Sequence, residues 1–144
     1  MNKTQQRTMR YAQLINGMIQ NLEDNQTDLN SDYERLKEAI EADKVADITS
    51  DDYWTIQENF QKGTDSYKDQ LQKLKRGQAP AKLMGTHHLL LDAYEEFVDG
   101  CQDMVDSMLD DRTVDSEKFL MAEQAQDTAT DKISKYIQKI TQLI

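Results

Sequence analysis

The chain is poor in residues that cross-link, break or stiffen a backbone. A single cysteine, Cys101, excludes an internal disulfide and fits a reducing compartment. One proline, Pro80, and five glycines leave few obligatory breaks in regular structure. No apolar run approaches membrane-spanning length. Basic residues are scarce beside acidic ones, 17 against 27, and the net charge of −10 repels phosphate backbones and anionic lipid. Neither nucleic acid nor a membrane is therefore an expected partner; a basic protein or a cation is. The basic first ten residues lead into no apolar signal segment before Asn16 and Gln20, so the expected location is cytoplasmic unless export uses a route without an N-terminal signal. Chemical signatures are missing as well. There is no Gly-rich phosphate loop, no Ser/His/Asp set, no Cys/His cluster and no Glu-x-x-His pair of the kind found in metal-carboxylate bundles.

What is present is helix-forming and periodic. Lys, Glu, Gln, Leu, Ala and Met recur throughout, and the apolar residues fall in steps of three and four rather than at random, which argues for order despite the polar composition. The clearest pattern covers residues 80–112. Leu83, His87, Leu90/Leu91, Tyr94, Phe97/Val98, Cys101, Met104/Val105 and Met108 draw one stripe down a helix. Before it, Tyr11, Ile15, Met18, Leu22, Leu29, Tyr33, Leu36 and Ile40 form a heptad-like seam with Asn25 as its polar member. This predicts one helix over 4–47, roughly 65 Å long, with a kink or break near 25–32 as the alternative. A second helix is expected over 51–77, capped by Thr49 or Ser50, with a thin spot at Gly63 and Thr64 and the cations Lys73, Lys75 and Arg76 in its last turn. The third is expected over 80–111, with Pro80 as its first residue. The fourth, over 115–144, has a thin first half carrying only Ala125 and Ala129 on its seam, and an apolar end at Leu143 and Ile144 that should be packed. Four helices joined by short loops must run antiparallel to their neighbours. The expected fold is all-α, one domain, an up-down-up-down four-helix bundle with a long first helix.

The candidate sites sit on that scaffold. Asp92, Glu96, Asp99, Asp103, Asp106 and Asp110 keep the helical beat on one face of the third helix, an acidic ridge joined by Glu95 and Asp111. Like charges three and four residues apart repel by a few tenths of a kcal/mol per pair, so local stability alone would not select them. Either the ridge is a solvated face partly neutralised by Lys62, Lys68, Lys132, Lys135 and Lys139, or it docks a basic protein segment. Trp54 is turned away from its helix's seam and is a second partner-binding candidate. His88, Asp92 and Glu95 are weak candidates as metal ligands, short of a third histidine or a facing carboxylate set. His87 reads as a corner of the core and Cys101 as a small buried hydrophobe. No cofactor is implied. The expected function is thus non-enzymatic: a protein-interaction module using an acidic face. A metal- or small-ligand-binding bundle, and self-association through the first helix, are the alternatives.

Overall fold

Helix α1 (Lys3–Glu41) starts on a reciprocal cap. Asn2 Oδ1 accepts from the Gln5 N–H at 2.8 Å, and Gln5 Oε1 accepts from the Asn2 N–H at 3.0 Å. The helix then runs unbroken for 39 residues, about 58 Å, in a computed structural model that describes residues 2–144. The weak stretch at 25–32 does not break it, because its polar side chains are engaged by α2 (Ser50–Arg76) rather than competing for the backbone. Asn21 and Asn25 both donate to Ser66 Oγ, at 3.0 and 3.1 Å, and Asn59 donates to Asp32 at 2.9 Å.

α1 stops at Glu41, not near residue 47. Asp43 takes a left-handed conformation, φ 55°; its N–H reaches the Ile40 carbonyl and the Lys44 N–H reaches that of Ala39. This is a Schellman ending with Asp where Gly is usual. A 3-10 turn (Val45–Asp47) leads to α2, where Thr49 Oγ1 accepts from the Asp52 N–H at 3.2 Å and Asp51 and Asp52 face the positive helix end. α2 closes on Lys73, Lys75 and Arg76 before Gly77. A Cβ at Gly77 would meet Leu14 Cδ2 of α1, which packs over the bare glycine.

The third helix is shorter than expected at both ends. Pro80 precedes a 3-10 turn (Ala81–Leu83), and α3 itself is Met84–Asp106. Residues 107–115 turn back as a tight loop in which Met108 pairs with Val114. Arg112 sits at φ 62°, and Asp111 Oδ1 accepts from both the N–H and the hydroxyl of Thr113. The loop is fastened from outside: the Tyr53 hydroxyl donates to the carbonyls of Leu109 and Thr113 at 2.8 and 3.0 Å, and Gln57 Nε2 donates to that of Met108 at 2.9 Å. Asp110 therefore belongs to this loop and not to the helical ridge. Asp115 then caps α4 (Ser116–Leu143) through the Lys118 N–H.

The helices alternate in direction. Tyr11, early in α1, meets His87, early in α3, while Arg35, late in α1, pairs with Asp52 at the start of α2. The molecule is an all-α four-helix bundle, with no strand among the described residues. The α3–α4 seam is the closest, built on buried Ala93, Ala122, Ala129 and Gly100. A Cβ at Gly100 would meet Gln126 Cγ at 3.0 Å and the Ala122 carbonyl at 3.4 Å. Ala122 thus takes the seam position expected of Ala125, which is exposed; Leu143 and Ile144 are also exposed, not packed. α1 and α4 meet through long side chains instead: Tyr33 stacks on Phe119 with ring centroids 6.1 Å apart, and Lys37 pairs with Glu123 at 2.9 Å. The apolar interior divides into two clusters, one around Tyr11, Leu74, Leu90 and Ile133, the other around Leu36, Ile56, Met108 and Phe119.

Candidate functional site

The acidic stripe is continuous along α3. Asp92, Glu96, Asp99, Asp103 and Asp106 follow one another at steps of four, three, four and three, and all are exposed. Among the described residues only Glu96 forms an ion pair, with Lys132 of α4 at 3.1 Å. On the other flank, Lys68 of α2 donates to Gln102 at 2.8 Å, and Gln102 in turn donates to Asp106 at 3.1 Å. Lys62 turns to Glu58 on its own helix. The field of the stripe is felt at its centre: partial burial, then Glu95 and Asp103, raise the Asp99 carboxyl above its usual range, with Lys68 opposing.

Trp54 is 36% exposed, with its ring edge-on to Tyr53 at 4.9 Å. It is seven residues before Gln61, which exchanges hydrogen bonds with Gln102 of α3, so Trp54 lies on the side of α2 that borders α3. Tyr53, which the Trp54 ring meets edge-on, also holds the loop on which Leu109 stands exposed. Asp110 and Asp111 are close enough to raise the Tyr53 phenol after burial has done so, together to about 12. The acidic stripe thus ends in a small apolar corner.

The other expectations fall as follows. His88, Asp92 and Glu95 are all exposed, with no ion pair between His88 and Asp92, and among the described residues no three His, Cys, Asp or Glu side chains gather as a metal site. His87 is buried. Burial lowers its pKa, with the Leu74 carbonyl opposing, and Nδ1 shares a hydrogen bond with the Tyr11 hydroxyl at 2.8 Å. Cys101 is buried and its thiol is pushed up to about 12, so it carries no thiolate at neutral pH. Of the α1 seam, Tyr11, Ile15, Met18, Leu22 and Leu36 are buried, while Leu29, Tyr33 and Ile40 are half-buried.

One feature escaped the sequence reading. A cavity of about 380 Å³ opens between α1 and α4, at the join of the two apolar clusters. Its walls include Tyr33, Phe60, Tyr67 and Phe97, and its rim carries Glu123 and Asp127 one turn apart on α4. Its traces in the sequence are the thin spot at Thr64 and the polar first half of α4 at Gln126, which face each other across it. Each is legible alone; their juxtaposition is not.

Compared with protein-family models, with characterised proteins and with solved structures, the chain matches none. No helix of the described residues is long and apolar enough to cross a membrane.

Proposed function

We propose that this chain is a non-enzymatic helical bundle that works by docking a basic segment of another protein along α3. The contact residues are Asp92, Glu96, Asp99, Asp103 and Asp106, with Asp110, Trp54 and Leu109 at one end. The observation that carries this reading is the lack of neutralisation: among the described residues, four of the five stripe carboxylates have no ion-pair partner, although lysines stand on both flanking helices. Repulsion along the stripe is a small standing cost that a row of Lys or Arg would relieve. The corner at Trp54 and Leu109 suits an apolar residue at one end of such a segment, and a large aromatic at a rim of charge is a favourable anchor. A cytoplasmic setting belongs to the same reading, in line with the single buried thiol.

The test compares wild type with a variant carrying Asp92→Lys, Asp99→Lys, Asp103→Lys and Asp106→Lys, first shown by circular dichroism to stay helical. A protein that co-purifies with wild type, dissociates with rising salt and is lost by the variant supports the proposal. Its retention by both versions ends it. Because Trp54 is the sole tryptophan, its emission reports whether the bound segment reaches the corner.

A further inference from the structure

The cavity between α1 and α4 has a chemical character independent of the acidic stripe. Four aromatic rings from three helices line it: Tyr33 of α1, Phe60 and Tyr67 of α2, and Phe97 of α3, with Tyr67 and Phe97 in edge contact at 4.9 Å. Ring faces carry the negative side of the aromatic quadrupole and attract cations, more strongly where water is excluded. The rim adds Glu123 and Asp127, while the remaining polar lining is neutral amide and hydroxyl; no lysine or arginine lines it. Lys37 compensates Glu123, at 2.9 Å, and leaves Asp127 without an ion-pair partner among the described residues. Burial, and after it Asp127, raise the Glu123 carboxyl above its usual range. Lys37 also stands over the Tyr33 ring, 5.8 Å from its centroid, so with Glu123 paired the uncompensated charge is that of Asp127, which disfavours an anion. A bare metal ion lacks ligands, since two carboxylates and a set of rings offer no closed oxygen shell. The size, about 380 Å³, falls in the range of small-molecule sites.

We propose that this cavity is a binding site for a small organic cation, an alkylated ammonium, whose alkyl groups contact Tyr33, Phe60, Tyr67 and Phe97 and whose charge is balanced by Asp127. Charge spread over carbon is the one ligand chemistry that satisfies the rings, the apolar walls and the carboxylate together.

The test uses tetraethylammonium on the full chain, followed by calorimetry and by amide chemical shifts. Saturable binding is expected, with shifts at Thr64, Phe97, Cys101 and Gln126. The neutral analogue 3-ethyl-3-pentanol should bind about tenfold more weakly. Asp127→Asn, an exposed position where folding is not at stake, should weaken the ammonium about threefold and leave the alcohol unchanged. Cys101→Leu, which pushes a side chain into the cavity without altering charge, should abolish both. Three results would each overturn the proposal: no saturation by about 10 mM, equal affinity for the alcohol, or shifts confined to the exposed face of α3. The last would mean that the ion merely collects on the acidic stripe.

Discussion

The two seams of α4 are built on opposite principles. Against α3, buried Ala122 and Ala129 and the bare Gly100 let the backbones close until a single added methyl would touch. Against α1, the contact is carried by Tyr33, Phe119, Lys37 and Glu123, and behind these long side chains lies a cavity. Small residues close a seam; large ones prop it open. The same polar-to-small stretch of α4 does both at once, because one face of it meets a glycine and the other meets a helix held at side-chain length.

That contrast can be broken most severely on the tight side. Ala129→Leu should lower unfolding free energy by about 3 kcal/mol in chemical denaturation, since the added atoms have nowhere to go. A loss well under this would mean that α3 and α4 are not in close contact. Next comes the pin that ties α1 to α3. His87 has its pKa lowered from the ordinary 6.5 by burial, so the unfolded chain takes up the proton more readily than the folded one. Its contribution to stability is therefore complete above 6.5 and is lost as pH falls through the depressed folded value. Unfolding free energy should drop as pH falls below about 6.5, and replacing the pair together, Tyr11→Phe with His87→Leu, should flatten that drop.

A smaller effect is expected across the open seam. Lys37→Met keeps the stem but leaves the Glu123 carboxylate, only 15% exposed, without its cation. Because Lys37 is itself 39% exposed, water screens the pair and the cost should be about 1 kcal/mol at most, shrinking with added salt. The smallest effect should come from the counterpart of Ala129→Leu. Cys101→Leu also adds bulk to a buried position, but into the cavity, and should change stability by less than about 1 kcal/mol. If it cost as much as Ala129→Leu, the two sides would not differ.

Much of this was readable from the sequence alone. Helix number, a cap at Thr49 or Ser50, the seam of α1 and the acidic beat of α3 all depend on residues within a turn or two of one another. The misses share a cause at longer range. α1 stops at Glu41 because Asp43 takes a conformation usually given to glycine, so no punctuation marked it. α3 ends at Asp106 because Tyr53 and Gln57, on another helix, accommodate the turn that follows. The weak residues 25–32 stay helical with Ser66 and Asn59 there to meet Asn25 and Asp32. The cavity is the extreme case, since it is a distance between two helices and not a property of either.

The grip of Tyr53 on the 107–115 loop has a direction in time as well as in space. The tyrosine precedes the two carbonyls it binds by 56 and 60 residues. A chain made from its N-terminus therefore has the anchor in place before the turn emerges. The last hairpin of the bundle is thus bent against a fastening point that was synthesised before it.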